Sequence, residues 1–149
     1  MGYILVVGGA GYIGSHTVLA LEAAGFRPLM FDNLSSGHAD AVEGFPLIEG
    51  DIRDRAALDA VFKAYDIEAV IHFAAFIEAG ESMHSPLKFF DNNMVGSLRL
   101  LEAMQAHSVT KLIFSSTAAV YGIPAHNNAI TEEDPKAPVN PYRTSKLMV

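Results

Sequence analysis

Gly8-Gly9-Ala10-Gly11-Tyr12-Ile13-Gly14 follows an unbroken apolar run at residues 3–7 and opens a helically patterned stretch at 12–24. The run is β-branched, aliphatic or aromatic throughout, which reads as a strand buried on both faces. The glycines at 8, 11 and 14 answer three separate needs. Gly8 permits a tight turn, Gly11 lets a pyrophosphate approach the backbone with no Cβ in the way, and Gly14 lets the helix pack closely on the sheet. The helix N-terminus then offers unpaired N–H groups and a partial positive charge to an anion. A glycine triplet by itself is an ordinary turn; its place between a strand and a helix is what makes this one a dinucleotide-binding candidate.

Working outward, Gly25 stands where a helix C′ residue belongs. Further apolar runs at 27–31, 46–49, 69–73 and 111–115 read as strands. Asp54 is placed to cap a helix over 55–65, whose Leu58, Val61, Phe62 and Tyr65 recur at helical spacing. A long helix is expected over 87–107, with Leu98, Leu101 and Met104 as its apolar stripe. Residues 122–141 are polar and Pro-rich, hence a loop, and a last helix begins near Tyr142. Five strands alternating with helices predict an α/β fold, a doubly wound parallel sheet of Rossmann-like type. The last helix reaches the final residue, Val149, without a cap or stop signal. Residues 1–149 therefore read as one such domain, truncated on its C-terminal side, with the fifth strand left as an exposed edge.

Composition narrows the classes. The 149 residues carry seventeen acids against ten Lys plus Arg, a net charge of −7, and half of them are hydrophobic. Such a chain is too apolar to be disordered, and it lacks the basic stripe of a nucleic-acid binder. The absence of cysteine excludes a disulfide scaffold and any thiolate zinc site. No apolar run approaches the roughly 20 residues of a membrane span. The first residues have no basic flank or cleavage site, and Val6 stands where a myristoylation signal needs Ser or Thr. A soluble cytoplasmic protein is expected.

Four further features point to chemistry. Asp32 ends the second strand, where an acid accepts hydrogen bonds from adenosine ribose hydroxyls and repels a 2′-phosphate, favouring NAD over NADP; Asp32-Asn33 is also good turn chemistry. Asp51-Ile52, after the third strand, stands where an adenine edge could rest. Tyr142 and Lys146 lie four residues apart, one turn of helix, so the ammonium can lower the phenol pKa and make Tyr142 a usable base. Thr117, just past the fifth strand, places a hydroxyl at the carboxyl end of the sheet, where it can bridge a substrate oxygen and Tyr142 or cap its own backbone. His16, His38, His72, His84, His107 and His126 show no helical metal-ligand pair, so no metal is expected and they read as packing or surface residues. Met83, Met94 and Met104 read as core filler.

With these pieces in place the chain resembles the extended short-chain dehydrogenase/reductase family, over residues 3–149. The likeness rests on GGAGYIGSHT (8–17), FDNL (31–34), EGDIR (49–53), HFAA (72–75), GES (80–82), DNN (91–93), FSSTAAVYG (114–122) and PYRTSKLMV (141–149). Within the family it is similar to the branch that inverts C4 of UDP-hexoses in galactose metabolism. That resemblance implies NAD as cofactor, UDP-glucose and UDP-galactose as substrates, and epimerisation through a transient 4-keto sugar. It implies cofactor contacts at Tyr12 and Ile13, at Asp32, Asn33, Leu34, Ser35, Ser36 and Gly37, and at Asp51 and Ile52. Further contacts are implied at Phe73, Ala74, Ala75, Phe76, Ile77 and Asn92, and at Tyr142 and Lys146. Thr117 and Tyr142 would face the sugar. The resemblance also implies a substrate domain absent from these residues, a homodimer when full length, and little activity for the 149-residue chain alone.

Two departures from the family pattern matter. Many relatives have Ser at the position of Thr117, which keeps the hydroxyl, and Lys at that of Ile77, which removes a charge contact. Ala118-Ala119 stands where sugar-nucleotide dehydratases carry Asp-Glu, and alanine moves no proton. Two alternatives remain at this level: another NAD-dependent sugar-nucleotide epimerase or reductase of the same family, or a non-catalytic NAD-binding module.

Overall fold

A computed structural model describes residues 2–123 and 129–149. In chain order it contains β1 (Tyr3–Val7), α1 (Tyr12–Ala23), β2 (Arg27–Asp32), β3 (Leu47–Glu49), α2 (Arg55–Ala64), β4 (Ile67–His72), α3 (Ala79–His84), α4 (Pro86–Phe89), a π-helical turn (Phe90–Val95), α5 (Gly96–Ala106), β5 (Leu112–Phe114) and α6 (Pro141–Met148). Short 3-10 turns cover Ala39–Val42 and Ala118–Tyr121. All strand pairs are parallel, in the order β3-β2-β1-β4-β5. The chain runs outward from β1 through β2 to β3, then returns to β4 and β5 on the other side. That reversal opens a crevice at the carboxyl ends of β1 and β4. The fold is the doubly wound, Rossmann-like sheet that the strand–helix alternation predicts.

Alternate residues of each strand feed opposite faces. Leu5, Val7, Leu29, Phe31 and Val70 pack with Leu58, Val61 and Phe62 of α2 and with Leu100, Ala103 and Met104 of α5. Val6 and Met30 pack on the other face with Val18 of α1, Ala10 and Val42. Gly25 adopts φ +83°, and the amides of Gly25 and Phe26 donate back to Glu22 and Leu21, closing α1 as its sequence predicts. Asp54 caps α2 by accepting from the Ala56 and Ala57 amides.

Four expectations are corrected. β4 runs two residues earlier at its start and ends at His72, because the Phe73 and Ala74 amides both turn onto the Val7 carbonyl, at 2.8 and 3.1 Å. The helix expected over 87–107 is broken by the π turn, and α3 precedes it. The π turn's wider winding rotates the face that follows. Gly96, Ser97, Leu100, Ala103 and Met104 are buried, whereas Leu98 and Leu101 are 46% and 39% exposed. Met83 is not core filler: on α3 it is 61% exposed. β5 is an edge strand with Ile113 65% exposed, as the sequence predicts. His126 lies outside the described residues. No described helix is long and apolar enough to cross a membrane.

Candidate functional site

The glycine turn sits at the crevice. Gly8 adopts φ +80°, and a Cβ on it would stand 2.6 Å from the Ala74 nitrogen. A Cβ on Gly14 would stand 2.1 Å from the Gly8 carbonyl oxygen, so the fold itself demands both residues. Gly11 differs: its Cβ would meet only the Gly8 oxygen, at 3.5 Å. Packing leaves Gly11 free to be larger, and the space a Cβ would take belongs to a cradle. Among the described residues no side chain caps the N-terminus of α1, which opens beside it.

Asp32 is buried at the end of β2. Its two carboxylate oxygens accept from the Ala10 amide at 3.0 Å and the Leu34 amide at 2.9 Å. It therefore ties the glycine turn to the next loop and makes the turn that its sequence also suggested. Each oxygen has one of these protein donors and lone-pair capacity left for a ligand. Asp51 is occupied differently. Arg53 grips it with Nε to Oδ1 at 2.9 Å and Nη2 to Oδ2 at 2.7 Å, while Asn33 donates to it at 3.2 Å. The Arg53 hydrogen bonds hold its carboxyl well below the usual carboxylate range.

A cavity of about 370 Å³ fills the crevice. Of the expected cofactor residues, Gly8, Gly11, Tyr12, Ile13, Asp32, Asn33, Ser35, Ser36, Ile52, Phe73, Ala74, Ala75, Phe76, Ile77 and Asn92 line it. Val7, Phe31 and Gly50 add walls that sequence reading did not identify. Gly14, Leu34, Gly37 and Asp51 lie outside its lining. Gly37 packs on Ala10 so closely that a Cβ would come within 2.8 Å of it. Among the described residues, Asp32 is the one carboxylate on the wall, and no Lys or Arg lines it.

Asn140 caps α6 by accepting from the Arg143 amide at 2.9 Å, and Pro141 fits its first position. Lys146 is buried on this helix with its ammonium 4.4 Å from the Phe114 ring centroid, and burial lowers its pKa to about 8. Lys146, Thr117 and Ser116 line a second, open cavity of about 470 Å³, together with Lys136. Thr117 Oγ1 also accepts from the Ala119 amide at 3.2 Å, so it caps the 3-10 turn as well. Tyr142 is half-buried one turn before Lys146 and lines neither cavity. The structure thus gathers Thr117 with Lys146, and leaves Tyr142 adjacent on the same helix.

A buried polar line joins the two regions. His72 Nε2 lies 2.8 Å from Ser97 Oγ, Ser97 donates to the Asn93 carbonyl, and Asn93 Nδ2 donates to Ser145 Oγ at 2.9 Å. From the sequence His72 reads only as a packing or surface residue and Asn93 only as part of a family string. Burial, with Lys146 nearby as a smaller cause, lowers the His72 pKa to about 3. Between about pH 6.5 and 3 the unfolded chain binds a proton at this site that the folded chain refuses. Stability is therefore complete above pH 6.5 and is lost as pH falls toward 3, by an order of a few kcal/mol. Thermal melts from pH 4 to 7 should show a smaller acid loss in His72→Gln; an equal loss would show that this imidazole is not the cause. No cluster of metal-ligating side chains occurs among the described residues.

The sequence profile of the NAD dependent epimerase/dehydratase family matches residues 4–149. A UDP-glucose 4-epimerase of Rhizobium leguminosarum bv. trifolii is 50% identical over 146 residues, 98% of this chain and 44% of that protein. The crystal structure of UDP-glucose 4-epimerase from Brucella ovis in complex with NAD superposes with a TM-score of 0.95 at 44% identity, covering 99% of this chain and 45% of that one. The enzyme from Bifidobacterium longum in complex with NAD+ and UDP gives a TM-score of 0.91 at 40% identity, covering 97% and 46%. The chain spans under half the length of these relatives.

Proposed function

The chain belongs to the NAD dependent epimerase/dehydratase family, and from that premise we propose that residues 1–149 are the NAD-binding domain of an enzyme that interconverts UDP-glucose and UDP-galactose through a 4-keto sugar. The observation that carries the cofactor reading is the open space over Gly11, flanked by the uncapped start of α1 and the Asp32 carboxylate. The pyrophosphate would lie on the α1 N-terminus, the adenosine ribose on Asp32, and Ile52 beside the adenine. When bound, NAD supplies a hydride acceptor and donor for sugar C4.

This chain's own residues would manage the proton. Tyr142 would take it from the 4-hydroxyl and return it, Thr117 would donate a hydrogen bond to that oxygen, and Lys146 would hold the nicotinamide ribose. Ala118 and Ala119 supply no acid or base beside Thr117, which supports epimerisation over dehydration. The substrate-holding domain would come from residues beyond these, as the relatives' length suggests. The exposed Leu98 and Leu101 of α5 support a homodimer of the full-length enzyme, and a cytoplasmic setting fits the family's chemistry.

Calorimetric titration of the 149-residue chain with NAD, beside an assay of UDP-galactose turnover, tests this reading. Saturable NAD binding without measurable turnover is the expected pair. A cooperatively melting chain that shows no heat with NAD would remove the cofactor reading, and rapid turnover by the chain alone would remove the need for a separate substrate domain.

A further inference from the structure

His72, Ser97, Asn93 and Ser145 are all buried, and their hydrogens can be assigned without ambiguity. The Ser97 hydroxyl has one hydrogen, and it goes to the Asn93 carbonyl at 2.5 Å. Its oxygen must therefore accept from His72 at 2.8 Å. That fixes His72 as the tautomer protonated on Nε2, and its buried Nδ1 has no hydrogen-bond partner among the described residues. Asn93 is used to capacity. Its Oδ1 accepts from the Phe76 amide at 2.8 Å and the Asn92 side chain at 2.9 Å, while Nδ2 donates to the Phe76 carbonyl at 3.0 Å and to Ser145. Ser145 passes its own hydrogen to the Tyr142 carbonyl at 2.7 Å.

One line of donors thus runs from the end of β4, through the π turn, to the backbone of α6. Its only imidazole stands at the start. A hydrophobic side chain at 72 would fill the same space but leave the Ser97 hydroxyl free to rotate. The Asn93 carbonyl, inside the π turn, would then lose a fixed donor. Asn92, which faces the cofactor cavity, and Asn93, which holds α6, lie on that same turn.

We propose that His72 is a positioning residue: the hydrogen on its Nε2 locks Ser97 onto the π turn, and the π turn in turn seats α6 with Tyr142 and Lys146. The consequence for NAD rests on the function proposed above; the consequence for Lys146 does not.

The test compares His72→Leu, which keeps bulk and loses the donor, with His72→Gln, which keeps an N–H at similar reach. Two readouts are used on the 149-residue chain: the NMR titration of Lys146 in protein labelled with 13C at lysine Cε, and the calorimetric NAD affinity. In the parent and in His72→Gln, Lys146 should titrate near its lowered value of about 8. In His72→Leu a loosened α6 should let it rise by about one pH unit or more toward the ordinary 10.5, with NAD affinity at least about tenfold weaker. Equal behaviour of the Leu and Gln variants, or an unmoved Lys146 in His72→Leu, overturns the proposal. If His72→Leu does not fold, Ser97→Ala removes the same link from a helical position, and an unmoved Lys146 there overturns it equally. A Lys146 shift in a chain that never binds NAD would uphold the positioning role and refute the cofactor reading.

Discussion

Gly14→Ala is expected to destabilise the chain by about 3 kcal/mol or more and to abolish NAD binding with it. At most helical positions the same change stabilises by about 1 kcal/mol, because glycine loses more backbone entropy on folding. Here the new Cβ would stand 2.1 Å from the Gly8 carbonyl oxygen and 2.8 Å from Gly9 Cα. Both obstacles are backbone atoms of the turn joining β1 to α1, so relief requires α1 to move off the sheet. That movement would open the packing of Val18 against Val6 and Met30. Gly11→Ala isolates the other half of the argument. Its backbone, at φ −75° and ψ 170°, suits any residue, and its Cβ meets one oxygen at ordinary contact distance. Stability should change by no more than about 1 kcal/mol, whereas NAD affinity should fall about 100-fold or more as a methyl enters the cradle. Urea denaturation and NAD calorimetry on the two variants separate the effects. A Gly14→Ala midpoint equal to the parent's would refute the packing argument, and a Gly11→Ala variant that binds like the parent would refute the cradle.

The contrast between those glycines shows what the sequence makes legible. The spacing after β1 identifies the turn, since the strand's apolar run and the glycine order are both local. Local signals also located Gly25, Asp54 and the start of α6. What stayed hidden depends on partners distant in the chain. Asn93 owes its role to Phe76 and Ser145, and His72 owes its role to Ser97; no periodicity relates these positions. The π turn is hidden for another reason: Leu98, Leu101 and Met104 keep helical spacing whether or not a wider turn precedes them. Only the packed structure shows that the first two face outward. Asp51 shows what strand ends alone leave open: Arg53 and Asn33 hydrogen-bond its carboxylate, and its neighbour Ile52 lines the cavity.

NAD should bind at least about 100-fold more tightly than NADP, and Asp32→Asn should erase most of that difference. Among the described residues the cavity wall offers no Lys or Arg, and its one carboxylate is Asp32. A phosphate charge within about 5 Å of it would cost roughly 3 kcal/mol at an effective dielectric near 20, before any screening by salt. Because Asp32 is buried, that screening is incomplete. Asparagine removes the charge and keeps the shape, so the penalty against a 2′-phosphate falls. It cannot keep both structural bonds, however. One of its two terminal atoms becomes an N–H₂ group, and that group faces the amide of either Ala10 or Leu34. A backbone N–H loses its acceptor, at about 1–3 kcal/mol. The variant should therefore melt earlier, bind NAD more weakly, and discriminate less than about tenfold between the two nucleotides. Paired calorimetric titrations and a thermal melt measure all three. Equal affinities for NAD and NADP in the parent would mean that the ribose does not lie on Asp32. An Asp32→Asn variant with unchanged stability would mean that the two backbone bonds carry little of the fold.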